Sequence, residues 1–265
     1  IAVGLIVDLN YSNPSHSPFQ EFQQFKQHPS IKQYLESGKR VSYGARAITK
    51  GGINSLVKME FNGGMIVGCD AGTLNPSKIK GSHCALQSGI LAAEYINKVL
   101  SEENCDFDDL FKSSALFKEL YESRNFSAAM HKFGFYLGAT YNFIESNIFR
   151  NKLPFTIKDE NRDCDSLSLS KSSPIKEYPA PDNVLSFDIT SSLFLSGTNH
   201  EEDQPVHLKL TDASIPLAHN KKLYDEPAQR YCPAGVYEII EKDGEDYFQI
   251  NAQNCLHCKT CDIKD

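Results

Sequence analysis

Apolar residues along this chain of 265 residues fall in short blocks with two different periods. Residues 1–8 form a nearly unbroken apolar run and predict a buried strand. Ser15 to Lys39 is polar and aromatic. After an early proline-containing turn, Phe19, Phe22 and Phe25 recur at helical spacing and predict a short helix over Phe19 to Lys26. Val57, Met59 and Phe61 alternate with Lys58 and Glu60, the pattern of a half-buried strand. Asn62-Gly63-Gly64 then predicts a turn, and Met65 to Gly68 a second short strand. A long helix is expected over Ser82 to Leu100, with Leu86, Ile90, Ala93 and Ile96 on one stripe. Residues 101–112 read as an acidic connector. A second helical stretch runs from about Ser114 to Phe149, where Phe126, Met130, Phe133, Leu137, Tyr141, Ile144 and Ile148 keep spacings of three and four. Residues 151–183, rich in Ser, Lys and Pro, predict a linker. From Val184 short strands should alternate with turns, with a boundary near 185.

These elements predict an α+β chain. No run approaches about 18 apolar residues, so no transmembrane helix is expected. There is no signal or transit peptide pattern either. The chain starts without Met inside an apolar run and stops four residues after a cysteine motif, as a piece of a longer protein would. With 40% hydrophobic and 23% charged residues the composition is that of a globular protein. The net charge of −7 argues against nucleic acid as a partner and permits docking to a basic protein.

Four of the eight cysteines change the picture. Cys255, Cys258 and Cys261 are separated by two residues each, and Cys232-Pro233 lies upstream. A Cys-x2-Cys-x2-Cys loop wraps three thiolates around one face of a cubane, and a fourth Cys, often followed by Pro, closes it. Zinc prefers Cys pairs split by a longer spacer, so the spacing favours [4Fe–4S] over zinc. Without Cys232, three cysteines would still suit a [3Fe–4S] site. Thiolate ligation implies a reducing compartment and no disulfides. Cys69, Cys84, Cys105 and Cys164 read as buried apolar filler.

Two further constellations carry chemistry. Gly68-Cys69-Asp70-Ala71-Gly72 follows an apolar segment and precedes a helix. Small residues there let backbone approach a flavin, Asp70 offers a carboxylate to its ribityl or ribose hydroxyls, and a helix starting at Gly81-Ser82 adds positive potential near the ring. A plain turn with a helix cap explains the same residues. The partner motif Gly-x-Gly-x-x-Gly does not occur, so the other half of such a site would lie outside this chain. Phe126 to Phe149 is dense in aromatic rings, with His131, Lys132, Glu145 and Arg150 among or beside them. It suits either a core helix or a helix lying in a membrane interface.

With these residues in view, the chain resembles the electron transfer flavoprotein–ubiquinone oxidoreductase family. The matching stretches begin at Asn13-Pro14-Ser15-His16, Gly38-Lys39-Arg40-Val41, Pro76-Ser77-Lys78-Ile79, Ser196-Gly197-Thr198-Asn199, Tyr231-Cys232-Pro233-Ala234 and Ile250-Asn251-Ala252-Gln253. They cover nearly the whole chain and correspond to the family's C-terminal part.

The resemblance implies FAD and one [4Fe–4S] cluster held by Cys232, Cys255, Cys258 and Cys261. Tyr237 and Thr260 would donate hydrogen bonds to its sulfurs and raise its potential; the plainer alternative makes Tyr237 a core residue and Thr260 a loop residue. FAD would meet Gly68, Asp70, Ala71, Gly72, Lys80, Gly81 and Ser82. The segment from Gly68 to Ser77 departs in detail from the family pattern, which leaves any tuning role for Ser82 open. Phe126, Phe133, Tyr136, Tyr141 and Phe143 would face the membrane and quinone. The implied organisation is residues 1–60, part of a quinone-binding region; 61–100, the C-terminal half of the FAD region; 101–184, a helical membrane-facing region and linker; and 185–265, a ferredoxin-like [4Fe–4S] domain. The implied partners are electron transfer flavoprotein, ubiquinone and a membrane surface held monotopically. That membrane is the matrix face of the mitochondrial inner membrane or the bacterial cytoplasmic membrane. Quinone reduction needs protons, for which His83 and His131 are the candidates; each is as readily a satisfied surface or core histidine. Two rivals stand beside this reading, a related membrane flavoprotein with another acceptor and a non-catalytic zinc module.

Overall fold

The computed structural model describes residues 1–159 and 161–265. The chain divides into two units, residues 1–47 with 161–265, and residues 48–160. In chain order the elements are α1 (Pro18–Gln27), α2 (Pro29–Lys32), β1 (Glu60–Phe61), β2 (Gly64–Met65), α3 (Ser82–Leu100), α4 (Phe107–Ser113), α5 (Ala115–Glu122), α6 (Phe126–Asn147), α7 (Ile189–Phe194), α8 (Lys221–Tyr224), α9 (Ala228–Tyr231), β3 (Tyr237–Lys242), β4 (Glu245–Ile250) and α10 (Cys261–Lys264). Helix and sheet are thus mixed, as the sequence predicts.

In the unit of residues 48–160, α3 spans the predicted residues. Its core face is made of Cys84, Ser88 and Ala92, whereas Leu86, Ile90, Ala93 and Ile96 are exposed on the other side. Both faces carry apolar residues. The small ones win the core because they admit close neighbours: Ser88 Oγ accepts the Gly68 N–H at 2.9 Å. The strand expected over Met65 to Gly68 ends at Met65, because Gly68 takes φ 73° and opens a turn of 3-10 helix over Gly68–Ala71. Gly72 follows at φ 89°, where an added Cβ would lie 2.7 Å from the Ser55 carbonyl oxygen. The expected acidic connector contains α4. Asp106 caps it by accepting the Asp109 N–H, and Phe107 and Phe111, one turn apart, enter the core with Leu116 and Leu120 of α5.

The helix expected through Phe149 is interrupted. Gly134 sits at φ 73° inside α6. A straight helix would hold Phe126 and Asn142 about 24 Å apart. Yet Asn142 Nδ2 donates to the Phe126 carbonyl at 3.1 Å, and a Cβ on Gly138 would lie 2.8 Å from the Ala129 carbonyl oxygen. α6 is therefore a helical hairpin that turns at Gly134. Its base is locked by polar groups. Asn125 Nδ2 donates to buried Glu145 at 2.7 Å while Asn125 Oδ1 accepts the Ile157 N–H. Arg124, 2% exposed, donates to the carbonyls of Tyr121, Leu153 and Phe155.

In the other unit, residues 1–8 are mostly exposed and form no strand. Among the described residues no strand lies beside them, so the ladder that would make this run a strand is not formed. α1 begins at Ser17-Pro18, a capping serine followed by a proline that needs no N–H partner. Residues 161–183 are irregular but pack along residues 11–21: the Ser168 N–H donates to the Ser12 carbonyl, and the Tyr178 hydroxyl accepts the Ser17 N–H and donates to Glu21. The strands expected from Val184 onward reduce to one hairpin, β3–β4, paired from Tyr237↔Ile250 to Lys242↔Glu245. Asp243-Gly244 turns it with both residues at positive φ, as a type I′ turn requires. Short helices and irregular stretches, the longest over residues 195–214, occupy the rest. The core gathers Ala228, Tyr231, Val236 and Tyr237 around Cys232 and Cys255.

Lys264 in α10 is 1% exposed. Its ammonium donates to the carbonyls of Leu9 at 2.7 Å, Tyr11 at 2.8 Å and Asp163 at 3.0 Å, and lies over the Tyr11 ring. Lys264→Met keeps the length and leaves these acceptors without a donor. It should destabilise this unit by about 3 kcal/mol or more, read as a lower denaturation midpoint and faster amide exchange around residues 9–12. Wild-type exchange there would rule the clasp out.

Candidate metal-cluster site

Cys232 is the residue that ends α9, and Pro233 prevents the helix from continuing. Cys255, Cys258 and Cys261 lie on the loop between β4 and α10. His257 and Lys259 adopt left-handed conformations at φ 53° and 67°. Placing such a residue between successive cysteines curls the loop, at a local cost of about 1 kcal/mol each. All four cysteines line one pocket, with Leu208, Tyr231, Ala234 and Leu256 among its apolar walls. Cys232, Cys255 and Cys258 are buried, and every cysteine in the chain is a free thiol.

Each sulfur has its own hydrogen-bond partner. The Val236 N–H donates to Cys232 Sγ at 3.4 Å, and the His257 N–H to Cys255 Sγ at 3.3 Å. Thr260 Oγ1 lies 3.4 Å from Cys258 Sγ, and the Tyr237 hydroxyl is hydrogen-bonded to Cys261. Thr260 and Tyr237 were singled out by the sequence. The two backbone donors were not, because nothing in a side-chain pattern announces an N–H.

Burial pushes the Cys232 thiol up to about 11 despite the N–H groups of Val236 and Ala234, and burial also raises Cys255. Burial, then the bond to Cys261, raises Tyr237. Bare, the Cys232 and Cys255 thiols are held to their protons by the apolar pocket. A bound metal would reverse that, since coordination removes the thiol proton outright. Tyr231, one of the residues lining the pocket, has a buried hydroxyl with no hydrogen-bond partner among the described residues. Donor type and donor number, four cysteines on one apolar pocket, fit a thiolate-ligated cluster.

Residues 40–47 brace the ligand loop from outside. The Ala47 N–H donates to the Cys258 carbonyl at 2.7 Å, the Tyr43 hydroxyl to the Pro233 carbonyl at 2.9 Å, and Arg46 to the His257 carbonyl at 3.3 Å. His200 Nε2 lies 2.9 Å from the Cys255 carbonyl oxygen. None of these was visible in the sequence, where they stand 55 to 211 positions from the residues they hold.

The residues expected at FAD separate by burial. Gly68, Ala71 and Gly72 are buried under α3 and beside Ser55, so packing accounts for their small size. Asp70, Lys80 and Ser82 are exposed, and Gly81 is half-buried. α3 starts without a side-chain cap at Gly81, which leaves its first N–H groups pointing outward. Of the aromatic residues expected at a membrane, Phe133, Tyr136 and Phe143 are exposed, whereas Phe126 and Tyr141 are half-buried, Tyr141 against Ala128, Ala129 and Ile157. Phe135 and Leu137, outside that set, are as exposed as its exposed members and lie at the hairpin tip. Among the described residues no helix is long and apolar enough to cross a membrane. Both candidate proton donors already face acids: His83 Nε2 lies 3.0 Å from Glu119, and His131 Nδ1 bonds Asp159. Cys84 alone among the four scattered cysteines is buried.

Two family models match the chain. One described as "Electron transfer flavoprotein-ubiquinone oxidoreductase, 4Fe-4S" covers residues 183–265, and one described as "ETF-QO, ubiquinone-binding" covers residues 1–48. The chain is 60% identical over its whole length to electron transfer flavoprotein-ubiquinone oxidoreductase of Pseudomonas aeruginosa, covering 49% of that protein. It is 51% identical to the probable enzyme of that name in Acinetobacter baylyi, covering 50% of it. It is 50% identical to the mitochondrial one of Homo sapiens, covering 45% of it. The chain thus spans about half the length of the curated relatives it matches.

At the start of α3, Glu119 accepts from Asn75 at 2.7 Å, Lys78 at 2.9 Å and His83. Burial alone would raise its carboxyl, but these donors outweigh it and hold it at about 2 against an ordinary 4.5. A carboxyl depressed on folding stabilises the fold above its unfolded value and loses that contribution as pH falls through the folded one. Stability of this unit should therefore decline from about pH 4.5 toward pH 2, and Glu119→Gln should flatten the decline in acid-denaturation curves. An unchanged slope in the variant would assign it to other carboxylates.

Proposed function

Because the chain belongs to the electron transfer flavoprotein–ubiquinone oxidoreductase family, we propose that it forms the cluster-holding and quinone-binding portion of an enzyme moving electrons from reduced electron transfer flavoprotein to ubiquinone at a membrane surface. The observation that carries this reading is the convergence of four cysteine sulfurs, each with its own hydrogen-bond partner, on one pocket. When bound, a [4Fe–4S] cluster supplies one-electron transfer without proton chemistry. Cys232, Cys255, Cys258 and Cys261 hold it as thiolates in a ferredoxin-like module. Val236, His257, Thr260 and Tyr237 spread the sulfur charge by hydrogen bonding, which favours the reduced form. The pocket walls exclude water. Ubiquinone falls to the matched segment 1–48.

FAD would lie against the uncapped start of α3. Gly81 and Ser82 present N–H groups there, Asp70 and Lys80 present exposed charge of either sign, and Gly68, Ala71 and Gly72 keep the backbone turn small enough for close approach. The helical hairpin supports monotopic attachment: Phe133, Tyr136 and Phe143 present rings, and Tyr136 at its tip is 84% exposed. Phe126 and Tyr141 hold the hairpin together from within. Relatives named as mitochondrial and bacterial both match, so the membrane would be the mitochondrial inner membrane on its matrix side or the bacterial cytoplasmic membrane.

Cys258→Ala should remove the visible iron–sulfur absorbance and most iron and acid-labile sulfide, and should destabilise the cysteine-bearing unit, since metal binding and folding are coupled. Full absorbance, or a colourless wild type holding zinc alone, would sink the redox reading. Tyr237→Phe and Thr260→Ala should leave the cluster assembled and lower its reduction potential. A lost hydrogen bond worth about 1 kcal/mol corresponds to roughly 40 mV for one electron. Unchanged potentials in redox titrations would remove both residues as donors.

A further inference from the structure

Three imidazoles crowd the outer side of the cysteine loop. The His207 and His257 rings lie 4.7 Å apart between centroids, and His200 stands 5.9 and 5.1 Å from them. They do not play the same part. Both ring nitrogens of His200 are engaged, Nε2 with the Cys255 carbonyl and Nδ1 with Gln204. His207 and His257 are exposed. Their ligand atoms and Cys255 Sγ lie within 4.8 Å of one another, a separation that small side-chain rotations close onto one ion. Cys255 thus faces two possible metal sites: the four-cysteine pocket, and a pair of imidazoles at its rim.

We propose that His207, His257 and Cys255 form a divalent transition-metal site of two nitrogens and one sulfur, occupied when Cys255 is not bound to the cluster. The inference rests on the reading of Cys255 as a cluster ligand. Two imidazoles and a thiolate suit a borderline ion, with water completing the tetrahedron as in open zinc sites. Binding forms one metal–sulfur bond and two metal–nitrogen bonds, and the thiol proton leaves to solvent. No electron moves. Zinc outranks ferrous iron at such donors, so zinc at this rim withholds Cys255 from cluster assembly. Cluster and rim ion exclude each other because they share one sulfur.

The test is reconstitution of the full chain with iron and sulfide, with and without added zinc, in the wild type, His207→Ala, and His207→Ala combined with His257→Asn. Asn tolerates the left-handed backbone at 257 and keeps its N–H. Without zinc, His207→Ala should reach wild-type iron and sulfide content; this arm also tests the cluster reading by itself. With zinc, cluster yield in the wild type should fall, and the double variant should need roughly a hundredfold more zinc for the same loss, because two of the three protein ligands are gone. Cobalt added to cluster-free protein should give the absorption of a single thiolate ligand, lost in Cys255→Ala and kept in Cys261→Ala. Equal zinc sensitivity in wild type and double variant would overturn the proposal, as would a cobalt spectrum requiring all four cysteines. If no protein takes up iron and sulfide while the one-thiolate cobalt spectrum persists, the cluster reading falls and the rim site stands.

Discussion

Four cysteines lining one apolar pocket, three of them buried, impose one requirement on everything around them: the charge of their sulfurs, once they ionise, must be carried by something other than water. The pocket answers at three distances. At the sulfurs stand four hydrogen-bond partners, two from backbone and two from side chains. One bond further out, the carbonyls of Pro233, Cys255, His257 and Cys258 lie within reach of Tyr43, His200, Arg46 and Ala47. Beyond these, Lys264 anchors the short helix that begins at the last cysteine. Without such bracing, a loop holding two non-glycine residues at positive φ would relax toward ordinary conformations and the sulfurs would separate.

How much of this could be read from the sequence depended on whether the deciding interaction was local. The cysteine spacing is local, and the sulfurs converge. The ends of α3 are local, and they fall where expected. The interior of that helix is not: apolar residues occupy two faces, and the close approach of Gly68 to Ser88 selects the face with Cys84 and Ala92. The hairpin in α6 was hidden for a related reason. Its apolar spacing runs unbroken across Gly134, so periodicity alone predicts one helix. The pairing of Asn125 with Glu145 and of Asn142 with Phe126, and the approach of Gly138 to the Ala129 carbonyl, show the chain turning back. Residues 1–8 fail the opposite way: the run is apolar enough for a strand, but a strand needs a neighbour to pair with.

The same distinction separates the candidate sites. At the cysteines, residue type names the chemistry, and the surroundings only refine it. At Gly68 to Gly72, residue type is ambiguous, because a close-packed turn and a cofactor cradle ask for the same small residues. A Cβ on Gly72 would strike the Ser55 carbonyl and Gly68 sits at φ 73°, so both glycines are already required by the turn itself. What packing leaves unexplained there is the exposed set, Asp70, Lys80 and Ser82, beside a helix start with no side-chain cap. Any argument for a cofactor at this turn therefore rests on those polar groups rather than on the glycines.

The segment matched as quinone-binding and the segment matched as cluster-binding are distant in sequence, yet they belong to one folded unit. Their junction sets donors against backbone acceptors: the Ala47 N–H on the Cys258 carbonyl, the Lys264 ammonium on those of Leu9 and Tyr11, and the Tyr43 hydroxyl on that of Pro233. Backbone acceptors cannot be deleted by side-chain substitution, so what substitution can remove from this junction is its side-chain donors, Lys264 and Tyr43. A junction of this kind makes the placement of residues 9–47 against the cysteine loop a property of the fold.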